Sequence, residues 1–256
     1  MQAPPPPSTV AAPPAWQTVD FISDLHLHPQ GAATVAAFDR YLADSPADAV
    51  FLLGDIFEVW IGDDAALPRS FEADCGARLR AASQRRALFF QHGNRDFLVG
   101  DAFLRSAGAT LVADPCTLLL HGRRWLLSHG DALCVDDTDY QRFRAEVRSP
   151  DWQSAFLARP LSERRDIARG LRRASEQRKA PDTVYADADP ALTDAWLRDA
   201  GADTLIHGHT HRPADHALPG GRRRIVLSDW DLAATPPRAE ALRIDADGVA
   251  RRVALA

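Results

Sequence analysis

Five short apolar runs of this chain each end in a polar group built from Asp, Asn or His. Runs of about four to eight apolar residues bounded by turn-forming residues are typical of buried β-strands. The runs with their endings are TVDFISDLH, AVFLLGD, ALFFQHGN, WLLSHGD and TLIHGHTH, which begin at residues 18, 49, 87, 125 and 204. Because the ligands of open α/β sheets gather beyond the carboxyl ends of the strands, these endings are expected to meet at one edge.

Helical patterns alternate with the apolar runs, which predicts an α/β layered domain. Helices are expected over residues 33–45 and near 69–85, and a further strand is expected over 222–230. Two glycines at 220–221 are typical of a hairpin turn before that last strand.

The strand pattern stops in an arginine-rich region, which divides the chain into three predicted parts. Residues 1–15 are proline-rich and are expected to form a disordered, polyproline-like tail. Residues 139–181 are expected to be a helical cap inserted in the core, which comprises 16–138 and 182–256. Within the cap, residues 142–180 hold eleven Lys or Arg against five acids. This uneven charge indicates a partner, unless it is only a solvated helix face.

The composition is that of an ordinary soluble globular protein, with 46% hydrophobic and 25% charged residues. The net charge of −5 argues against nucleic acid as a partner. Three cysteines without a CxxC pair favour a reducing compartment. The amino-terminal segment lacks the features of a signal peptide, and no apolar run reaches the roughly 18 residues of a membrane span. A cytoplasmic protein is therefore predicted, with at most peripheral membrane contact.

The polar endings consist of residue types that bind metal ions. Alternation along a strand would put His207, His209 and His211 on one face, where three imidazoles are hard to bury. One Asp, Asn or His at a strand end is usually a turn former, but five such endings indicate a metal site. Oxygen and imidazole donors without thiolates suit Mn²⁺, Fe²⁺ or Zn²⁺, and seven ligands fit two ions that share a carboxylate. The endings supply Asp24, His26, Asp55, Asn94 and His129, together with the histidines of HGHTH.

The fragments DLH, GDIFE, GNRD, HGD and HGHTH, in this order, resemble the signature of the calcineurin-like metallophosphoesterases over roughly residues 18–230. The resemblance implies an α/β fold, a β-sandwich flanked by helices, with a dimetal site at the strand ends and Asp55 bridging the ions. The implied ligands are Asp24, His26, Asp55 and His209 for one ion, and Asp55, Asn94, His129 and His207 for the other. His211 is expected outside both groups, and Asp96 and Asp131 are expected to orient ligands.

One fragment departs from the commonest form of the family, in which GNH precedes an acidic residue: this chain has GNRD, with Arg95. Arginine cannot act as a general acid near neutral pH but is a good clamp for phosphate oxygens. The chain also lacks the GDxxDRG of the protein phosphatases. With the helical insertion and the later SDW, it is similar to the UDP-2,3-diacylglucosamine hydrolase family. Enzymes of that family cleave a pyrophosphate bond to give UMP and 2,3-diacylglucosamine 1-phosphate (lipid X) in lipid A biosynthesis.

This second resemblance implies the rest of the chemistry. A hydroxide between two Mn²⁺ ions is expected to attack the α-phosphorus, with Asp55, Asn94 and Arg95 at the reacting centre. The implied substrate contacts are Asn94, Arg95, Asp137, Ser175, Lys179, Asp182 and His207. Asp182 departs from the pattern, which often has lysine there. The implied partners are a lipid-linked UDP-sugar and the cytoplasmic face of the bacterial inner membrane, and a monomer is expected.

The role of the cap and the identity of the substrate stay open. The pairs Trp152/Phe156 and Ile167/Leu171, each one helical turn apart, either pack the cap onto the core or line a slot for acyl chains. The metal centre is expected not to depend on the cap, because its ligands lie at strand ends outside it. The alternatives are another nucleotide pyrophosphatase or phosphodiesterase, or a non-catalytic scaffold on the same fold. Such scaffolds typically lose metal ligands, whereas this chain has all seven.

Overall fold

The computed structural model describes residues 8–178 and 186–256, which form two six-stranded sheets packed face to face between layers of helices. The strands are β1 Ser8–Ala11, β2 Val19–Ile22, β3 Ala49–Leu53, β4 Ala87–Gln91, β5 Ala109–Leu111, β6 Cys116–Leu120, β7 Arg123–Ser128, β8 Thr204–His207, β9 Ala214–Ala217, β10 Arg223–Val226, β11 Glu240–Ile244 and β12 Ala250–Ala254. The helices are α1 Ala32–Asp44, α2 Phe71–Ser83, α3 Asp101–Ala107, α4 Thr138–Val147, α5 Pro150–Leu157, α6 Leu161–Arg178 and α7 Pro190–Ala200.

The topology brings the carboxyl ends of the predicted strands to two sheet edges. The first sheet has the order β12-β11-β2-β3-β4-β5, and β2 to β5 are parallel. The second has the order β1-β6-β7-β8-β10-β9, and β7, β8 and β10 are parallel. The five polar endings follow β2, β3, β4, β7 and β8, so the expected α/β sandwich is confirmed. The helices expected over 33–45 and near 69–85 are α1 and α2.

The central strands are buried on both faces, which is why their sequences are continuously apolar. Between the sheets, Phe21 and Phe51 of the first sheet share a buried cluster with Leu127 of the second. On the outer face of the first sheet, Ile22 and Leu52 pack with side chains of α1, α2 and α3. The helix α7 covers the outer face of the second sheet in the same way. The core is therefore mainly apolar, and most polar groups lie in the loops at the strand ends.

The first strand departs from the disordered tail that the sequence predicts over residues 1–15. Ser8 to Ala11 pair in parallel with β6, so β1 forms one edge of the second sheet. The prolines of this region lie before and after the strand, which leaves a proline-free stretch able to pair with a neighbouring edge. The expectation of disorder is therefore wrong from Ser8 onward.

The strand β8 ends at His207, earlier than the sequence pattern predicts. His209 and His211 lie in the following loop and have φ of 67° and 52°. The expectation that strand alternation aligns the three histidines is therefore wrong, because a turning loop positions the last two. The last predicted strand is also shorter and ends at Val226, while the GG turn joins the antiparallel strands β9 and β10 as expected.

The helices α4, α5 and α6 fall within the region expected to be a cap, and we call them the helical segment. Trp152 and Phe156 stack with ring centroids 4.8 Å apart and pack, with Ile167, against the cluster on the outer face of the first sheet. Leu171 is exposed. Packing thus accounts for three of the four apolar residues. In the described part of the chain, no helix is long and apolar enough to span a membrane.

A buried carboxylate on β2 joins this strand to α1 and to its neighbour in the first sheet, β11. Asp20 on β2 is fully buried and accepts Arg243 Nε at 2.7 Å and Nη2 at 2.9 Å. The hydroxyls of Tyr41 and Ser45 also donate to Asp20, at 3.0 and 2.8 Å. The guanidinium therefore supplies the compensating charge for a carboxylate that water does not reach.

We predict that Arg243→Leu lowers the free energy of unfolding by about 3–5 kcal/mol, because it leaves the Asp20 charge buried without the cation that is hydrogen-bonded to it. The matched control is Arg78→Leu, which breaks a half-exposed pair with Asp39 and should lower it by at most about 1 kcal/mol. Urea unfolding of the metal-free proteins measures both values. Equal losses would show that the Asp20 network does not stabilise the sheet.

Candidate metal centre

The five strand endings form one cluster of carboxylates and imidazoles with an unusual backbone. Among the described residues, seven non-glycine residues have positive φ, and five of these lie in the endings. They are Asp24, His26, Asp55, His209 and His211, with φ between 49° and 67°. Asp and His tolerate this left-handed region better than most residues, and such conformations concentrate at functional sites. The backbone is therefore strained where the predicted ligands meet.

Two glycines let the ligand-bearing loops approach one another. A Cβ on Gly93 would collide with the Asp55 carboxylate, which lies on a neighbouring loop. A Cβ on Gly208 would collide with Asp24 Oδ2 and Ser23 Oγ, across the gap between the two sheets. Glycine at these positions is thus a condition for the close approach of the two aspartates to the other loops.

One group of candidate ligands combines Asp24, His26 and His211, whose ligand atoms lie within 4.8 Å of one another. His211 Nε2 lies 3.3 Å from Asp24 Oδ1 and 3.4 Å from His26 Nε2. Ser23 Oγ and the His209 backbone N–H donate to the other oxygen, Asp24 Oδ2, which leaves Oδ1 beside the imidazoles. A carboxylate oxygen and two imidazoles are donors that a divalent cation binds.

A second group combines Asp24, Asp55 and His129, again with ligand atoms within 4.8 Å. His129 Nε2 lies 3.6 Å from Asp55 Oδ1 and 3.0 Å from Asn94 Oδ1. His129 Nδ1 lies 3.0 Å from the Leu53 carbonyl oxygen, a contact that fixes the ring with Nε2 towards the cluster. Because Asp24 belongs to both groups, the two candidate sites adjoin.

The electrostatics of the cluster fit a cation. Burial alone would lower the pKa of His129, but the carboxylates of Asp55 and Asp24 raise it to about 9. Burial lowers the pKa of His207 to about 3 and that of His209 to about 4, so both imidazoles are neutral at neutral pH. His207 Nε2 is buried without a hydrogen-bond partner among the described residues. Neutral imidazole is the form of histidine that binds metal ions.

His209 and His211 differ from the positions that the resemblance implies. His209 Nδ1 lies 2.9 Å from Asn94 Oδ1, beside the second group of ligands and not the first. His211, expected outside both groups, is the histidine of the first group. The geometry therefore makes both histidines candidate ligands.

Asp96 holds the loops around the cluster, in the orienting role expected for it. It is fully buried, and it accepts the backbone N–H of Gly93 at 2.8 Å and that of Ile56 at 2.8 Å. It thereby joins the GD loop after β3 to the GNRD loop after β4. Burial, followed by the charge of Asp55, raises the pKa of Asp96 to about 6.

Glu58 joins a candidate metal ligand to the expected phosphate clamp. Its Oε2 lies 3.3 Å from His26 Nδ1, and its Oε1 accepts Arg95 Nη1 at 3.5 Å. The backbone N–H of Arg95 donates to Asp55 Oδ1 at 2.8 Å. A positive charge is therefore held beside the cluster. The fragment GDIFE contains Glu58, but sequence reasoning missed its role because both partners lie on other loops.

The remaining predicted substrate contacts lie just before, on or after the helical segment. Asp137 is exposed, and its Oδ1 accepts the Tyr140 N–H at 3.0 Å as the N-cap of α4. Ser175 lies on α6, but its side chain is outside the described residues, and Lys179 and Asp182 are wholly outside them.

Comparison with known proteins identifies the class. The sequence model of the family described as calcineurin-like phosphoesterase matches residues 17–213, and the chain belongs to this family. The chain is 43% identical over 244 residues to a UDP-2,3-diacylglucosamine hydrolase of Stenotrophomonas maltophilia, which covers 90% of this chain and 96% of that protein. It is 44% identical over 241 residues to a UDP-2,3-diacylglucosamine hydrolase of Chromohalobacter salexigens, with coverage of 91% and 96%. A crystal structure of Vps29 complexed with Zn²⁺ from Entamoeba histolytica matches with a TM-score of 0.47 and 14% identity, covering 93% and 99% of the two chains.

Family membership and the donor set together indicate a metal-dependent hydrolase with a divalent-metal site. The oxygen and imidazole donors, and the buried His207 Nε2 without a partner among the described residues, fit such ions.

We predict that Asp55→Ala reduces the number of Mn²⁺ ions bound per chain and abolishes hydrolysis of a generic phosphodiester. The variant removes a carboxylate that lies beside the candidate ligand His129 and that also holds the backbone of Arg95. Titration calorimetry of the metal-free protein measures the stoichiometry. Asp39→Ala, which removes a half-exposed carboxylate on α1, is the control and should bind Mn²⁺ and hydrolyse the diester as the unmodified protein does. Unchanged metal stoichiometry in a folded Asp55→Ala variant would show that this carboxylate is not a ligand.

Proposed function

We propose that this chain hydrolyses the pyrophosphate bond of UDP-2,3-diacylglucosamine to UMP and 2,3-diacylglucosamine 1-phosphate (lipid X) in lipid A biosynthesis. One observation carries the proposal: a cluster of metal ligands with the Arg95 guanidinium beside it occurs in a chain 43–44% identical to two UDP-2,3-diacylglucosamine hydrolases over nine-tenths of its length. A planar guanidinium beside divalent ions suits a substrate with two linked phosphoryl groups.

The metal proposed is manganese, two ions per chain. The carboxylate, amide and imidazole donors, without thiolate, suit Mn²⁺, Fe²⁺ or Zn²⁺, and of these the resemblance to the UDP-2,3-diacylglucosamine hydrolases implies Mn²⁺. The residues proposed to hold the ions are Asp24, His26, Asp55, Asn94, His129, His207 and His209, with His211 as a further candidate. Asp55 is proposed as the shared ligand because the family resemblance implies it, although the two groups of ligand atoms have Asp24 in common. When bound, such ions supply Lewis acidity towards phosphoryl oxygens and lower the pKa of bound water.

Asn94 and Arg95 are proposed to orient the pyrophosphate. A guanidinium is a hydrogen-bond donor and not a general acid, so Arg95 is proposed to stabilise phosphoryl oxygens and not to protonate the leaving group. Asn94 Oδ1 lies 3.0 Å from His129 Nε2, which favours metal binding by this oxygen and leaves the amide N–H groups for a phosphoryl oxygen. Further substrate contacts are proposed for Asp137, Ser175, Lys179, Asp182 and His207.

The helical segment is proposed to be the cap, over residues 139–181, on a core formed by 16–138 and 182–256. Its excess of Arg and Lys favours attraction to the substrate diphosphate and to an anionic membrane surface. The exposed Leu171 is available to an acyl chain or to the bilayer. We place the protein in the cytoplasm, as a monomer bound peripherally to the inner membrane and without a nucleic-acid partner.

We predict that the protein, incubated with UDP-2,3-diacylglucosamine and Mn²⁺ in ¹⁸O-water, produces labelled UMP and unlabelled sugar phosphate, since attack is proposed at the α-phosphorus. Mass spectrometry of both products measures the label.

A second prediction concerns the acyl chains, and its matched substrate is UDP-N-acetylglucosamine, which keeps the diphosphate and lacks long acyl chains. Its kcat/KM should be lower by at least about 100-fold, the effect of burying about four methylenes at about 0.8 kcal/mol each.

Three outcomes would contradict parts of this proposal. Label in the sugar phosphate would place the attack at the other phosphorus. Equal turnover of the two substrates would favour a general nucleotide pyrophosphatase. No turnover of either substrate by the Mn²⁺-loaded protein would favour a non-catalytic scaffold.

A further inference from the structure

The helical segment reaches the metal centre through one buried carboxylate. Asp131, the last residue of HGD, is fully buried. Its Oδ2 accepts the Tyr140 hydroxyl at 2.6 Å and Arg144 Nε at 2.8 Å, both from α4. Gln141 Nε2 donates to the Asp131 carbonyl oxygen at 2.8 Å. The helix α4 is therefore bound firmly to the loop that carries His129.

Arg148, at the carboxyl end of α4, extends from this loop to a second one. Its Nη2 donates to the Gly93 carbonyl oxygen at 2.9 Å and lies 3.6 Å from Asp131 Oδ2. The guanidinium lies over the Phe97 ring, 5.4 Å from the centroid, which limits the directions it can take. Gly93 directly precedes Asn94, so one side chain contacts both the loop that carries Asn94 and the loop that carries His129.

The two loops that Arg148 joins follow strands of different sheets. Because β4 lies in the first sheet and β7 in the second, strand pairing does not set the distance between the loops. That distance matters because Asn94 Oδ1 and His129 Nε2, one from each loop, lie 3.0 Å apart. Gln91 Nε2 also crosses between the sheets, to the Leu127 carbonyl at 3.3 Å, but it joins the strands and not the loops beyond them.

We propose that Arg148 is a positioning residue of the metal centre: by binding both loops it holds Asn94 and His129 at the spacing that a shared cation requires. This inference rests on the proposed assignment of those two residues to one ion. Arg148 acts through the protein groups it binds and not by touching the substrate. The helical segment is then part of the metal centre, contrary to the expectation that the centre does not depend on it.

The test compares two arginines of the same helix region. Arg148→Met keeps the length of the side chain and its packing on Phe97 but removes every donor. We expect the Kd for Mn²⁺, measured by calorimetry of the metal-free protein, to rise about 10–100-fold, as when other groups that orient metal ligands are removed. At saturating Mn²⁺, kcat for bis(p-nitrophenyl) phosphate should fall while KM is unchanged. Arg142→Met, at a position 81% exposed and paired with Asp139, is the control for metal binding and should have the Mn²⁺ Kd of the unmodified protein.

A lysine variant keeps the inference testable if Arg148→Met does not fold. Arg148→Lys retains a positive charge beside Asp131, but a single ammonium cannot bind both loops as a guanidinium does, so we expect a smaller rise in Kd. Unmodified Mn²⁺ affinity in Arg148→Lys, or equal affinities in Arg148→Met and Arg142→Met, would overturn the inference. If the unmodified protein itself neither binds Mn²⁺ nor hydrolyses the diester, the proposed metal centre is wrong and the inference falls with it.

Discussion

The burial of two carboxylates side by side is the constraint on which the rest of this structure depends. Asp24 and Asp55 are almost inaccessible to water, and their oxygens lie within 4.8 Å of each other. Two like charges in such a place are unstable unless positive charge compensates them. The His129 imidazole responds accordingly, since the two carboxylates raise its pKa to about 9 against the effect of burial. Divalent ions would compensate the two negative charges more completely than an imidazolium does. This gain explains why the fold accepts strained turns at the positions that bring the ligands together.

The sequence predicts the positions of the ligands better than the path of the chain between them. Each ligand follows an apolar run, and such a run determines both the strand and the place where it stops. The turns beyond the strands depend on tertiary contacts, so a strand was expected where His209 and His211 adopt positive φ. Edge strands such as β1 and β9 were missed for a related reason: they carry few apolar residues and form because a neighbouring edge is available to pair with them.

Arginines outside any motif connect the helical segment to the core. Arg164 on α6 is buried, donates to the Ile61 carbonyl and pairs with Asp64, so it fastens α6 to the loop after β3. Arg148 fastens α4 to the loops after β4 and β7. Ile61 is 103 residues from Arg164 along the chain, and Gly93 is 55 residues from Arg148, so spacing in the sequence does not indicate these contacts. The segment that is proposed to cover the substrate is therefore attached at the same loops that carry the candidate metal ligands.

The central claim is that strand endings from two sheets hold two ions around Asp55. The most direct test is anomalous diffraction from a crystal grown with Mn²⁺, which measures the number and positions of the bound ions without reference to a substrate. We expect two peaks about 3.5–4 Å apart, as in other two-metal sites. One should lie beside Asp24 and His26, the other beside Asn94 and His129, and Asp55 should contact both. A single peak, or two peaks that do not share Asp55, would contradict the two-ion centre.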